Sequence, residues 1–235
     1  MDISFYTAGV GAKAQQAKLD VIANNMANAN TTGYKSQSAG FEDLLYSNIR
    51  DAEAADSQLK VGSGVRVEKT DINFSSGGMM PTDGEYDYAI VGDDGFFAVQ
   101  NPATNEIYYT RSGAFQQSVA KDGKGYLVNS VGDFVLDENL KKIELNGQEF
   151  KPGVFDFNVK DGMLLAGDNL YSPTQKNGQA ILQKDAVLST GYLEASNVEV
   201  SDEMVKLIES QRSYSLALKM VQTSNEVEET INNLR

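Results

Sequence analysis

Four asparagines lie close together near the start of the chain, at Asn24, Asn25, Asn28 and Asn30. They fall in a segment whose apolar residues recur every three or four positions, a spacing that predicts a helix. Each asparagine costs up to about 0.7 kcal/mol of helix propensity relative to alanine. Because a carboxamide can both donate and accept hydrogen bonds, these residues indicate a bonding role beyond helix formation.

The commonest catalytic chemistries are excluded, because the chain contains neither histidine nor cysteine. Their absence removes the imidazole base, the serine and histidine pair, the thiolate nucleophile and the usual zinc ligands. Paired carboxylates can still catalyse hydrolysis, as they do in glycosidases. A carboxylate-dependent hydrolase therefore stays an alternative, but the sequence assigns no catalytic residue.

Four stretches have residue types that could bind a ligand. The glycine-rich stretches Gly9–Lys13 and Gly62–Arg66 lack the spacing of a dinucleotide fingerprint or a P-loop. Near the acidic residues between Asp83 and Asp94, the following glycine and the distal glutamate do not fall at the spacing of an EF-hand loop. Tyr108–Arg111 could stack on a ligand, but alternation along a strand explains this stretch without one. We predict no cofactor and no metal site.

The composition argues against two classes of partner. The 33 acidic and 20 basic residues give a net charge of -13, which repels nucleic-acid phosphates and anionic lipid headgroups. No stretch approaches the ~20 apolar residues of a membrane span, and no apolar run typical of a cleaved secretory signal follows the start. We therefore predict no nucleic-acid binding and no direct membrane insertion.

Both ends of the chain have apolar residues at the first and fourth places of a seven-residue repeat. The first repeat ends before Gly33, where we expect a C-cap, and the last begins near Val200, with Ser201 as its expected N-cap. A stripe this narrow must be covered by another helix, so we predict two long helices that pair as a coiled coil. The stripe positions are Phe5, Ala8, Ala12, Gln15, Leu19, Ile22, Met26 and Ala29, then Met204, Leu207, Gln211, Tyr214, Leu218 and Val221.

The middle of the chain consists of short apolar runs separated by glycine and aspartate. Turn dipeptides such as Asp122-Gly123 and Asn146-Gly147 predict β-hairpins. We predict an α+β fold, with terminal helices forming a coiled coil and a central all-β domain of many short strands. The predicted domains are 1–35 with 193–235 as a discontinuous helical domain, 36–78 as an extended connector, and 79–192 as the β domain. The strand-like runs are Tyr88–Gly92, Gly95–Gln100, Ile107–Gly113, Gly125–Asn129, Asp133–Leu136 and Lys142–Leu145.

Several long motifs resemble those of the bacterial flagellar basal-body rod and hook family. They are LDVIANNMANANTTGYK and FEDLLY near the start, DDGFFAV and YTRSGAF in the middle, and GYLEASNVEVSDEMVKLIESQRSY near the end. Within the family, GSGVRVEKTDINFSSGG followed by GFF is most similar to the distal rod branch, and the proximal rod branch is the alternative. The resemblance covers both termini and the strand pattern between them.

The resemblance implies a non-enzymatic structural subunit of a helical tubular shaft, the rod that transmits motor torque to the hook. In the implied fold, the paired terminal helices form an inner tube and the β domain lies outside it. The implied partners are copies of the same chain, other flagellar rod and hook subunits, and the flagellar type III export apparatus. The implied location is the flagellar basal body, reached by export, outside the cytoplasmic membrane.

The resemblance also implies which residues take part in assembly. On a helix, Asn24, Asn25 and Asn28 share a face that points away from the apolar stripe. Their amides could there join identical subunits into an open helical array. The predicted assembly interface is Leu19, Ile22, Asn24, Asn25, Met26, Asn28, Leu207, Gln211, Tyr214, Leu218 and Val221.

Three other interpretations stay open at this point. The terminal helices could pack only on each other, as an intramolecular hairpin. A hydrolase would show acids that converge on a concave site in the β domain. A secreted adhesin or binding module would keep the β domain and act without its terminal helices.

Overall fold

Two α-helices and seventeen β-strands form the part of the chain that the structure describes, a computed structural model of residues 3–48, 60–119, 123–145 and 150–234. Helix α1 lies near the start of the chain and helix α2 near its end, with all the strands between them. This order confirms the predicted α+β class, with terminal helices and a central region of many short strands. The helices span Ile3–Ala27 for α1 and Val200–Asn233 for α2.

The ends of the two helices differ from the prediction. Helix α1 ends at Ala27, six residues before the expected C-cap at Gly33. Gly33 has a φ of +68° in the turn that follows, and a Cβ atom there would lie 2.5 Å from the backbone nitrogen of Ser112. The glycine is thus required by a close backbone approach rather than by the helix end. The N-cap of α2 is Glu199, which makes no side-chain capping bond, and Ser201 lies inside the first turn.

The described residues divide into two compact units. The helical unit takes the described residues of Met1–Ala27, Gln37–Asp71 and Glu199–Arg235. The strand unit takes Asn28–Ser36 and the described residues of Ile72–Val198. The nine residues after α1 therefore belong to the strand unit, whereas the predicted division puts most of them with the helices.

The main sheet of the strand unit has nine strands, and all their pairings are antiparallel. Its order is β13-β14-β8-β7-β11-β10-β9, with β12 also paired to β7 and β15 paired to β12. Two further pairs in this unit are β16 with β6 and β17 with β5. The strands are β5 (Met79–Pro81), β6 (Tyr88–Ile90), β7 (Phe96–Gln100), β8 (Ile107–Thr110), β9 (Gln116–Val119), β10 (Gly125–Val128), β11 (Phe134–Val135), β12 (Val154–Asp156), β13 (Leu164–Gly167), β14 (Leu170–Ser172), β15 (Ile181–Leu182), β16 (Leu188–Thr190) and β17 (Tyr192–Glu194).

Strand β7 lies at the centre of this sheet and is buried on both faces. Phe97 and Val99 point into one apolar cluster, and Phe96 and Ala98 point into a second cluster on the other face. A strand covered on both sides needs a continuous apolar run rather than an alternating one. This explains the sequence FFAV.

Five of the six predicted strand-like runs contain a strand. The exception is Lys142–Leu145, which makes only isolated bridges from Lys142 to Leu136 and from Glu144 to Tyr126. The predicted turn at Asn146-Gly147 lies outside the described residues. At the other predicted turn, Gly123 has the positive φ, +73°, that a glycine accommodates without strain.

The segment predicted as an extended connector, 36–78, carries four strands in its described parts. Strand β1 pairs with β4, and β2 pairs with β3. Strand β1 packs against α1, but most of its residues are exposed or half-buried. A sheet so weakly covered has no strict apolar alternation, which is why its pattern predicts no strands. The four strands are β1 (Gln37–Asp43), β2 (Tyr46–Asn48), β3 (Lys60–Gly62) and β4 (Val65–Ile72).

Candidate assembly surface and buried polar clusters

The two helices of the helical unit run antiparallel. The hydroxyls of Ser4 and Ser224 are 2.9 Å apart near one end of the pair. Near the other end, Nδ2 of Asn25 donates to Oε2 of Glu203 at 3.2 Å. The helices are therefore partners within one chain, as a hairpin requires, so any contact between chains needs another surface.

The seam of α2 that faces α1 is lined by small and polar residues at an interval of seven. Glu203, Ser210 and Ser224 are the buried residues of α2, and Ala217, which completes the series, is half-buried. The side-chain oxygen of Ser210 is buried and has no hydrogen-bond partner among the described atoms. Between these positions lie half-buried Leu207, Tyr214 and Val221.

Half of the predicted stripe on α2 lies on this seam, and the other half does not. Leu207, Tyr214 and Val221 fall on the seam, whereas Gln211 and Leu218 are exposed. In the observed repeat, Glu203, Ser210 and Ala217 take the places that were predicted for Met204, Gln211 and Leu218, one residue later. Sequence reasoning missed it because it favoured large apolar residues, whereas close helix packing selects small ones. The seven-residue spacing of Glu203, Ser210, Ala217 and Ser224 is the signal that could have identified it.

On α1, the predicted apolar positions lie inside the helical unit. Ile22 is buried, and Leu19 and Met26 are half-buried. Of the predicted asparagines, Asn24 is exposed and Asn28 is half-buried. Thr31 bonds back to Asn28, by its hydroxyl to Oδ1 and by its backbone N–H to the carbonyl.

Asn25 is buried, with 1% of its surface exposed, and its carboxamide bonds within the chain. Its Oδ1 accepts a hydrogen bond from the backbone N–H of Gln37 at 2.9 Å, and its Nδ2 donates to the Gln37 carbonyl at 2.8 Å. The same Nδ2 reaches Glu203, which also pairs with Lys206 at 2.7 Å. This one amide therefore joins α1, β1 and α2, and it points into the helical unit rather than outward.

Several large apolar side chains of α2 are exposed. Their exposed fractions range from 49% at Ile208 through 65% at Leu216 to 84% at Leu234. At about 100° per residue, Val205, Ile208 and Leu216 fall on the side of the helix away from Ser210. Met220, Val227 and Ile231 lie four, three and seven residues from Ser224, and so on its side of the helix. We call this set the outer stripe of α2. It consists of Val205, Ile208, Leu216, Met220, Val227, Ile231 and Leu234.

The strand unit contains a buried cluster of three charged side chains, Lys35, Arg111 and Glu194, each 1–2% exposed. Lys35 Nζ lies 2.6 Å from Oε1 of Glu194, and Arg111 Nε lies 2.8 Å from its Oε2. Arg111 also donates to the carbonyls of Gly92 and Gly95. The positive side chains outnumber the carboxylate, and the carbonyls of Gly92, Gly95 and Ser75 each accept from one of their donors, as a buried charge requires.

The electrostatics of this cluster follow from burial and pairing. Burial lowers the pKa of Lys35, and the neighbouring Glu194 only partly compensates. Burial alone would raise the pKa of Glu194, but Arg111 and Lys35 together outweigh it and hold that pKa below its ordinary value. The cluster therefore holds Glu194 as a carboxylate.

The other candidate ligand residues have structural roles in the described chain. Gly9 and Gly11 lie within α1, so that stretch forms no phosphate loop. Tyr109 packs in the apolar core of the strand unit, and Tyr108 donates to Glu106 at 2.8 Å. Among the described residues, no group of three or more acids is placed to hold a metal ion.

No helix in the described part of the chain has the length and apolar character needed to cross a membrane.

Comparison with known proteins identifies relatives along nearly the whole chain. Family models match residues 5–35 as a flagella basal body rod protein, 89–166 as the D1 domain of the flagellar hook protein FlgE/F/G, and 189–234 as the C-terminal region of the flagellar basal body rod FlgEFG proteins. The chain is similar to the flagellar basal-body rod protein FlgG of Buchnera aphidicola, with 34% identity over 98% of this chain and 99% of that protein. It is also similar to FlgG of Borreliella burgdorferi, at 33% over 99% and 98%, and to FlgF of Caulobacter vibrioides, at 34% over 97% and 95%.

Proposed function

This chain belongs to the flagellar basal-body rod protein family, and from that membership we propose how it works: as a distal rod subunit that assembles with copies of itself into a helical shaft. Members of this family are structural proteins of the flagellar basal body, and this chain is such a subunit. We further propose that it reaches the rod through the type III export apparatus, contacts other rod and hook subunits, carries torque and catalyses no reaction.

The observation that supports self-assembly is the outer stripe of α2. Within one chain, α2 fully buries only Glu203, Ser210 and Ser224, and it leaves most of its large apolar residues exposed. Burial of apolar surface stabilises by about 25 cal/mol per Å², so the free chain leaves much of the stabilisation available to α2 unrealised. A neighbouring subunit that covers the stripe would supply it.

The geometry of such a contact favours an open array. We propose that a different surface of the neighbouring chain covers the stripe, while α1 keeps the seam of α2 within the subunit. A contact between unlike surfaces produces a ring or an unending helix rather than a closed dimer. The exposed residues Asn24, Gln211 and Leu218 stay in the proposed contact surface, and Asn25 serves the fold of the subunit.

The test is to replace Leu216 by aspartate in cells whose only rod subunit of this type is the variant. Leu216 is 65% exposed, so the free subunit should fold normally, whereas a charge buried at a contact without a partner is strongly unfavourable. We expect cells without hooks or filaments and without swimming. Gln222→Asp is the matched control, because Gln222 is exposed on the same helix outside the stripe, and it should swim normally. Normal swimming by both variants would show that the stripe is not part of the assembly surface.

A proximal position in the rod is the second candidate. It is supported by the FlgF relative, whose identity of 34% equals that of the FlgG relative from Buchnera aphidicola. Electron microscopy of basal bodies with this subunit tagged separates the two, because label at the hook end of the rod indicates the distal position and label near the cytoplasmic membrane the proximal one.

A further inference from the structure

One side chain, that of Asn197, lies where the chain passes between the two units. The chain crosses the boundary of the strand unit at Ser36, at Ile72 and at Val198, as well as directly after α1. Asn197 is the neighbour of Val198, and Asn73 is the neighbour of Ile72. Ser36, Asn73 and Asn197 thus each lie at or next to one of these three crossings, and all three belong to the strand unit.

These three residues are tied together by short hydrogen bonds. Oδ1 of Asn197 accepts from the backbone N–H of Ser36 at 2.7 Å. Nδ2 of Asn197 donates to the carbonyls of Asn73, at 2.8 Å, and Ser75, at 3.0 Å. The N–H of Asn73 in turn donates to the carbonyl of Ser36 at 2.8 Å. One carboxamide thus joins three chain segments that are far apart in sequence.

The three segments are also bonded to the buried ion cluster of Lys35, Arg111 and Glu194. The carbonyl of Ser75 accepts a hydrogen bond from Nζ of Lys35 at 2.7 Å as well as from Asn197. The backbone N–H of Asn197 donates to the carbonyl of Tyr34, next to Lys35, at 3.3 Å. Lys35 is next to Ser36, and Glu194 lies three residues before Asn197. The ion pair between Lys35 and Glu194 therefore also joins these two segments.

We propose that Asn197 is a clasp that holds these three crossing segments together and keeps them in place whether or not the helices are formed. A carboxamide can accept from one segment with its oxygen and donate to two others with its NH₂ group, which is the pattern of bonds that Asn197 makes. All the bonds of the clasp lie within the strand unit. We therefore expect the ends of the strand unit to stay in place when the packing of the helices is disturbed.

The test is amide hydrogen exchange, followed by mass spectrometry, on the full chain. In Asn197→Ala, the amides of Ser36 and Asn73 should exchange about fivefold to tenfold faster, as expected for the loss of a hydrogen bond or its support. The amides of β7 and β8 should be unchanged. The matched control is Asn158→Ala, at an exposed position of the same unit, which should leave Ser36 and Asn73 protected. Unchanged protection in Asn197→Ala, or equal loss in β7 and β8, would overturn the clasp.

Asn197→Asp divides the two halves of the clasp. The carboxylate keeps an acceptor for the N–H of Ser36 but removes both donors and places negative charge beside the carbonyls of Asn73 and Ser75. We expect the Ser36 amide to stay protected and the Asn73 amide to exchange faster. Equal loss at both amides would contradict the assignment of separate bonds.

A helix variant tests the independence of the clasp from the helices. Leu207 lies on the seam of α2, so Leu207→Asp should raise exchange throughout α1 and α2. The proposal predicts that Ser36 and Asn73 keep their protection in this variant and lose it when Asn197→Ala is added. Loss of protection at Ser36 and Asn73 in Leu207→Asp alone would show that the clasp depends on the helices.

Discussion

At the scale of single residues, the asparagines of α1 turn out to have different roles. Their types and spacing correctly indicate hydrogen bonding beyond the helix, but the sequence alone does not say with what. The carboxamide of Asn25 forms hydrogen bonds with Gln37 and Glu203 inside the chain, whereas Asn24 is exposed. One residue along a helix turns a side chain by about 100°, which is enough to separate an inward amide from an outward one.

Asn25→Ala should therefore destabilise the free subunit. It strands the backbone groups of Gln37 and one oxygen of Glu203, each at about 1 to 3 kcal/mol if unpaired, against a gain of at most about 0.7 kcal/mol in helix propensity. We expect the free energy of unfolding of the helical unit to fall by about 2 to 4 kcal/mol, measured by urea unfolding. Asn24→Ala is the control and should be near neutral. Equal, small effects of both would show that the Asn25 bonds contribute little.

The buried ion cluster makes the strand unit sensitive to acid. The folded-state pKa of Glu194 lies below its ordinary value of 4.5, because Arg111 and Lys35 outweigh the effect of burial. A carboxyl group with a lowered pKa stabilises the folded state above its unfolded pKa and loses that contribution as the pH falls through the folded pKa. The stability supplied by Glu194 should thus be complete at neutral pH and decline below pH 4.5.

Glu194→Gln tests this dependence. At neutral pH it leaves two buried cations without their carboxylate, so the strand unit should lose about 3 to 5 kcal/mol. Below pH 4.5 the difference between the two proteins should shrink, because Glu194 binds a proton in the unfolded chain first, and in the folded chain only as the pH falls through its lowered pKa. The measurement is the unfolding free energy of both proteins at several pH values. A difference that stays constant down to pH 2 would contradict the role of the Glu194 charge.

At the scale of elements, strong periodicity predicted well and weak periodicity did not. The helices and the central strand β7 have long or continuous apolar patterns, and the structure confirms them. Strands β1 to β4 escaped prediction because they are poorly covered, and a strand without a buried face has no pattern to read. The register of α2 was half right, since Leu207 and Tyr214 lie on the seam, but Ser210 takes the place that apolar reasoning gave to Gln211.

The sequence likewise predicts one part of the candidate site and not the other. A stripe of exposed apolar residues on α2 could be expected from its composition, because the sequence holds more large apolar residues there than one seam can bury. The ion cluster could not be expected. Lys35, Arg111 and Glu194 are far apart in sequence. Only the fold brings the charged groups of Lys35 and Arg111 within 3 Å of the Glu194 carboxylate. Long-range polar pairs leave no periodic signal along a chain.

At the scale of the whole molecule, self-assembly must overcome like charge. Each copy carries a net charge of -13, so two copies repel each other over about one Debye length, ~8 Å at physiological salt. Assembly therefore needs short-range contacts that bury apolar surface, and the outer stripe of α2 offers them. The central claim is that this stripe, exposed in the single chain, is covered by a neighbouring subunit in the rod.

Electron cryo-microscopy of purified basal bodies that contain this subunit, at a resolution that shows side chains, tests this claim most directly. We predict that Leu216, Met220 and Val227 lie within about 4.5 Å of apolar atoms of an adjacent subunit, while α2 keeps its own α1 on the seam marked by Ser210 and Ser224. A rod in which these stripe residues face water, and in which neighbouring subunits meet elsewhere, would contradict the account.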